Sequence, residues 1–264
     1  MAMRLWILGS GTLLPHAHRG SPAHWLEAGE ATVLLDCGAG VVRTLAALER
    51  PWEEITHLLL SHFHTDHVGG LAPFLFALKH GRSRERSRPL RILGPPGTRE
   101  LFRRLAEAYG PYILDPGFPL EFHEIPGGGD WMDPHVDLHV ATRPTRHTEE
   151  SLAFRIRVPE GTVGYTGDTG PDPGLGVFLR DADVLLAECS VPDTEVSETH
   201  LTPSSLAALA SEAGEPLLVS LHTYPPLEPE KVPELVRLAG YGGRVLSGWD
   251  GLCLRWLDGR VAAE

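Results

Sequence analysis

Ser61-His62-Phe63-His64-Thr65-Asp66-His67 is the stretch on which the reading of this chain turns. Three histidines and one aspartate fall within six residues, directly after the apolar run Ile55–Leu60. Imidazole nitrogen and carboxylate oxygen are the donors zinc takes when a site must stay open to water or substrate. The order His-x-His-x-Asp-His sets alternate side chains on one side of an extended turn. The last two can then face a second metal nearby.

Two metals need more donors than this segment supplies. Three candidates lie downstream. His147 follows the strand-like run Val136–Ala141, within Arg-Pro-Thr-Arg-His-Thr. Asp168 sits in the glycine-flanked turn Tyr165-Thr166-Gly167-Asp168-Thr169-Gly170, and His222 ends the apolar run Leu217–Leu221. Each is a ligand-capable residue at or beyond a strand's C-terminal end, where side chains project from a sheet edge. Loops on a rigid scaffold are where binding groups are commonly placed.

Strand-like apolar runs recur along the 264 residues, with further examples at Leu5–Leu8, Thr32–Leu35, Leu90–Leu93, Leu120–Ile125, Leu152–Val158, Thr162–Thr166, Val184–Ala187, Arg244–Leu246 and Leu252–Trp256. Between groups of them lie helix-like stretches: Gly40–Arg50, Asp66–His80, Thr98–Tyr109, Thr202–Ala213 and Pro229–Ala239. Thr202 followed by Pro203 reads as an N-cap and first helical position. Grouped strands with helices set between the groups predict an α/β chain in which two sheets pack face to face under outer helices. The expected fold is a four-layer αββα sandwich of one domain, residues 1–264, whose halves meet near Ala141. No linker, low-complexity tract or short repeat interrupts it.

The ligand segment resembles the signature of the metallo-β-lactamase superfamily. The opening Leu8-Gly9-Ser10-Gly11-Thr12 with Pro15, and Leu34-Leu35-Asp36-Cys37-Gly38, resemble ribonuclease Z and its relatives. His200-Leu201-Thr202-Pro203-Ser204-Ser205, entering a helix ahead of His222, is similar to the extra histidine motif of that phosphodiesterase branch. The resemblance implies that His62, His64 and His147 hold one divalent metal, that Asp66, His67 and His222 hold a second, and that Asp168 bridges them. Zinc is expected first, with manganese or iron accepted by the same donors. It further implies a phosphodiesterase using a hydroxide that bridges the two metals, with Asp66 orienting that hydroxide and His200 as general acid. Ser61, Thr169 and Asp36 are candidates to brace the imidazoles. The expected substrate is a small phosphodiester or nucleotide-like molecule.

Other readings stand beside this one. The same metals would serve a thioesterase or lactonase, or a tRNA 3′-processing endonuclease. In ribonuclease Z a long arm that grips tRNA stands between the third-motif histidine and the bridging aspartate. Here only one strand pair separates His147 from Asp168. That spacing is similar to the compact cyclic phosphodiesterase of phosphonate breakdown, but the cysteines of that enzyme's structural zinc site are absent. A decayed, non-catalytic scaffold and a two-iron redox protein complete the alternatives; no flavin-binding domain accompanies the ligands.

Composition bounds the partners. The net charge of −12 repels polyanions, so long nucleic acid is not expected. The basic run Gly81–Pro89 reads as a solvated loop rather than an RNA contact. Cys37, Cys189 and Cys253 form no CxxC pair, and no charged leader precedes the strand-like Met3–Leu8, which together suggest the cytoplasm. No apolar run approaches a membrane span. A homodimer is expected only from the resemblance. His16, His18 and His24 are candidates to line the pocket, and Pro126–Asp133 with Trp131 to edge its entrance. The sequence has no Asn or Gln and only two lysines, Lys79 and Lys231, consistent with heat adaptation or with genomic base composition.

Overall fold

A computed structural model describes residues 3–257 and 259–264. The first half of the chain supplies β1 (Arg4–Gly9), β2 (Ala23–Ala28), β3 (Ala31–Leu35), β4 (His57–Leu59), β5 (Leu90–Gly94) and β6 (Leu120–Glu124). The second supplies β7 (Asp130–Met132), β8 (His139–Pro144), β9 (Leu152–Val158), β10 (Gly161–Tyr165), β11 (Val184–Glu188), β12 (Leu217–Leu221) and β13 (Val245–Ser247). A last hairpin, β14 (Cys253–Leu257) and β15 (Arg260–Ala263), returns to the first sheet. The sheets run β15-β14-β1-β2-β3-β4-β5-β6 and β13-β12-β11-β10-β9-β8-β7. The predicted sandwich is therefore present.

Side-chain alternation builds the layers, because successive residues of a strand face opposite sides. In β1, Leu5 and Ile7 enter the core between the sheets, while Trp6 and Leu8 face outward. In β11, Val184 and Leu186 face inward and Leu185 and Ala187 outward. The outer face of the first sheet is covered by α1 (Val41–Ala47), α2 (Thr65–Val68), α3 (Leu71–His80) and α4 (Thr98–Tyr109). Phe74, Leu75, Leu78 and Phe102 fill that layer. The second sheet is covered by α5 (Leu175–Phe178), α6 (Pro203–Glu212) and α7 (Val232–Leu238). Thr202 caps α6 in a reciprocal pair with Ser205, as its sequence predicts.

Five local expectations are corrected. The chain crosses between sheets after β6, before Ala141, and the strand near Ala141 begins at His139 rather than Val136. Asp66–His80 is two helices broken at Gly69-Gly70, not one. A Cβ on Gly70 would stand 2.4 Å from the Gly38 carbonyl oxygen, so the break lets two backbones touch. Trp131 does not edge the entrance; it lies on β7 and packs against the inter-sheet core. His24, expected to line the pocket, is buried on β2. Among the described residues no helix is long and apolar enough to cross a membrane.

Candidate metal centre

The C-terminal ends of β3, β4, β10, β11 and β12 lie at one edge of the sandwich. β3 pairs parallel with β4, and β11 pairs parallel with both β10 and β12. Their carboxyl ends therefore open the same way, the common placement of sites on parallel sheets. Asp36 follows β3, His62 lies just beyond β4, Asp168 just beyond β10, Glu188 ends β11 and His222 follows β12. His147 arrives on the loop after β8. Gly167 turns the chain toward Asp168 at φ 55°, where a Cβ would come within 2.9 Å of the Ser61 Cβ.

All seven residues proposed as ligands from sequence converge. His62, His64, His147 and Asp168 form one group, and Asp66, His67 and His222 a second; within each, the potential donor atoms lie within 4.8 Å of one another. The Asp168 carboxylate stands between the groups. Its Oδ2 is 3.6 Å from His147 Nε2, 3.5 Å from His222 Nε2 and 4.0 Å from His62 Nε2. Its Oδ1 is 3.3 Å from His67 Nε2. Asp66 Oδ2 lies 3.2 Å from His222 Nε2. Asp168, His200 and His222 make a third, overlapping group.

Four of the five imidazoles are held by their outer nitrogen. His67 Nδ1 donates to Asp36 Oδ2 at 2.7 Å. His62 Nδ1 reaches the Ser61 hydroxyl at 3.0 Å, which itself donates to Asp36. His222 Nδ1 reaches Ser190 Oγ at 3.1 Å, and His147 Nδ1 donates to the Thr199 carbonyl at 3.1 Å. In all four, Nε2 is left to point inward; His64 alone turns Nδ1 inward, 3.0 Å from His147 Nε2. Such outer contacts fix tautomer and ring orientation in metal-binding histidines. Asp36 is the hub: it also accepts the Ser61 amide at 2.7 Å and the Tyr165 hydroxyl at 2.6 Å.

Electrostatics match this arrangement. Burial, reinforced by the charge of His67, pushes His62 down to about 2, so it stays a neutral donor. Asp168 is buried, which opposes ionisation, yet His222 and His67 hold its carboxyl well below the usual range. The fit to divalent cations rests on His62 Nε2 and His67 Nε2. Both are buried and neither finds a hydrogen-bond partner among the described residues. An unpaired buried nitrogen is costly unless something completes it. Two such atoms facing a buried carboxylate are a donor set a cation would satisfy.

Residues 31–223 match the beta-lactamase superfamily domain. The chain belongs to the metallo-β-lactamase superfamily. Within it, this metallo-β-lactamase fold protein stands in the ribonuclease Z-like branch and is a metal-dependent hydrolase. It is 30% identical over 243 residues to ribonuclease Z of Mycobacterium sp. (strain KMS), covering 84% of this chain and 85% of that one. The metallo-β-lactamase fold protein YhfI from Bacillus subtilis superposes with a TM-score of 0.83 at 22% identity, covering 97% of this chain and 100% of the other. Human tRNase Z, short form, gives 0.78 at 21% identity, with 96% and 99% covered.

His200 lies at the rim of the same site. Its Nδ1 donates to both carboxylate oxygens of Glu188 at 3.1 Å. Burial opposes a proton on this ring, but the Glu188 hydrogen bond and charge prevail and raise its affinity for one. Glu188 also accepts the Thr169 amide at 2.6 Å and the Leu201 amide at 3.1 Å. Glu188 was not singled out from sequence, nor were Ser190, Tyr165 and Tyr224. A signal for Glu188 existed: it is a carboxylate closing an apolar strand, the position that Asp36, Asp168 and His222 take on theirs.

The expected pocket linings are partly corrected. The cleft above the ligands is 590 Å³, and His16, His18 and His24 do not line it. His16 and His18 border a neighbouring surface hollow instead. The basic run stays away from the cleft. Arg82 and Arg86 stack on Phe118, and Arg88 pairs with Glu54. Cys37, Cys189 and Cys253 are buried free thiols.

Proposed function

We propose that the chain hydrolyses phosphodiester bonds in small, nucleotide-like substrates. His62, His64 and His147 would hold one divalent ion, Asp66, His67 and His222 another, with Asp168 shared between them. Zinc is the first candidate, and manganese or iron suits the same donors. Such a pair, when bound, ionises water near neutral pH and neutralises charge on phosphate oxygens.

The chain's own groups supply the rest. Asp66, with one oxygen on the His222 side, orients the attacking water. His200, kept proton-bearing by Glu188, gives its proton to the departing oxygen from the cleft side of the ring. General acid catalysis of this kind is typically worth about 10²–10⁴ in rate. The Asp36 hub and Ser190 keep the imidazoles from rotating, so no reorganisation is needed as charge develops. The His200–Glu188 pair is the observation that carries this reading. An ester whose leaving group is a thiolate needs no such proton, which weighs against a thioesterase.

The test combines metal analysis with a substrate panel. Purified protein should carry two divalent ions per chain and cleave bis(p-nitrophenyl) phosphate in preference to an acyl thioester or lactone. Asp168→Ala should lose at least one ion and nearly all turnover. Two ions retained in Asp168→Ala, or a thioester preferred by the wild type, would overturn the proposal.

A further inference from the structure

One wall of the cleft does not resemble the others. His64, Asp66, His147, Asp168 and His200 line it with ionisable or ligand-capable side chains, whereas Leu13 is aliphatic and Tyr224 aromatic. The two come from separate loops that are tied together. The His222 amide donates to the Ser10 carbonyl at 3.0 Å, and, two residues on, the Tyr224 amide donates to the Ser190 carbonyl at 3.0 Å. The Tyr224 ring stands edge-on to His222 with centroids 5.3 Å apart, and 6.0 Å from the His200 ring. Its position is thus fixed beside the group that would protonate a leaving oxygen. Leu13 is 61% exposed at the lip of this polar site. Ligand clefts are typically lined by apolar and aromatic side chains around a few placed polar groups, and Leu13 and Tyr224 supply that apolar part here.

Charge adds a second constraint. No lysine or arginine lines the cleft among the described residues. Arg19, on the neighbouring loop, is spent on Gly248 O at 2.7 Å, Ser10 Oγ at 3.2 Å and Glu230 at 2.7 Å. A phosphate beyond the one at the ligands would therefore find no cation, in a chain whose net charge is −12.

We infer that the cleft selects a singly charged phosphodiester whose ester group on the His200 side is aromatic, held against Leu13 and Tyr224. This rests on the phosphodiesterase reading and deepens it. Aromatic rings give large contact area at low entropic cost, and base–aromatic stacking tolerates many ring systems. Leu13 and Tyr224 are specificity-determining residues here, and neither takes part in proton transfer.

Calorimetric titration of the metal-loaded protein at about pH 9 with phenylphosphonate and methylphosphonate, both dianions there, tests the wall directly. Phenylphosphonate should bind about tenfold tighter, the ratio that corresponds to ~1.4 kcal/mol. Tyr224→Ala and Leu13→Ala should each erase most of that preference while methylphosphonate binding stays put. Tyr224→Phe, which keeps the ring and its packing, should retain it. Equal binding of both probes by the wild type would overturn the inference while leaving hydrolysis of bis(p-nitrophenyl) phosphate, and with it the phosphodiesterase reading, intact. Failure to cleave that diester would remove both. The charge limit is read separately: a dinucleotide bearing an added 5′-phosphate should show a higher KM than the unphosphorylated one, and a lower KM would refute it.

Discussion

Two buried histidine–aspartate pairs in this molecule look alike in burial and bond length and differ in consequence. His57 and His67 are both almost fully buried, and each meets an aspartate, His57 Nε2 with Asp133 at 2.8 Å and His67 Nδ1 with Asp36 at 2.7 Å. His57 spends its second nitrogen as well, on the Thr56 hydroxyl at 2.7 Å. His67 does not; its Nε2 has no hydrogen-bond partner and faces Asp168. A histidine with both nitrogens satisfied braces a sheet. One with a single nitrogen anchored offers the other as a ligand. His200 is a third case, anchored by Glu188 through Nδ1 and half-open to the cleft.

The three pairs should fail in three ways. Removing the cleft pair has the largest effect. His200→Ala is expected to lower kcat by about 10²–10⁴ while metal content and melting temperature hold, because only the acid is lost. Unchanged turnover in the loaded variant would contradict its role. His57→Ala should instead cost about 3–5 kcal/mol of stability, since it opens a cavity in a buried layer and strips Asp133 of a hydrogen-bond partner, leaving it only Arg91, yet ions bound per folded chain should not change. Chemical denaturation beside metal analysis separates the two.

Acid should expose the same bracing pair next. Burial pushes His57 down to about 4 from 6.5, against the pull of Asp133. The folded value is depressed, so this contribution is fully present above pH 6.5 and is lost as the pH falls through 4. The shift corresponds to about 3 kcal/mol, and His57→Leu should flatten that part of the stability–pH curve. An unaltered slope between pH 6.5 and 4 in the variant would show that His57 does not set it. The smallest effect belongs to the anchor of the ligand pair. Asp36→Asn keeps the shape but weakens the hold on His67, and metal affinity should drop about 10–100-fold by competition with a chromophoric chelator.

Much of this was legible without coordinates. The 61–67 segment, His147, Asp168 and His222 announce themselves because ligand chemistry needs particular side chains at strand ends. The two-sheet architecture follows from alternation in β1, β9 and β11. What escaped did so for identifiable reasons. β2 reads Ala-His-Trp-Leu-Glu-Ala and is buried on both faces at most positions, so its pattern does not alternate. β7 is three residues behind a glycine run, and β15 is a short edge strand. The break between α2 and α3 depends on Gly70 touching a loop more than thirty residues earlier, which no local pattern encodes. Glu188 and Ser190 belong to an apolar segment whose polar residues matter only once His200 and His222 have folded beside them.

The first sheet takes strands from both ends of the chain. β1 sits between β2 and β14, with Arg4 opposite Arg255 and Trp6 opposite Cys253, and the Asp250 carboxylate caps the Ser10 and Gly20 amides at 2.8 and 2.7 Å. The loop that carries Leu13 is thus pinned by a residue more than two hundred positions later. During synthesis β1 must wait with one side unzipped until residues 253–257 have emerged, and pairings so remote in sequence close slowly. A chain cut before residue 250 should contain every proposed ligand and still lack the carboxylate that holds the Leu13 loop beside them.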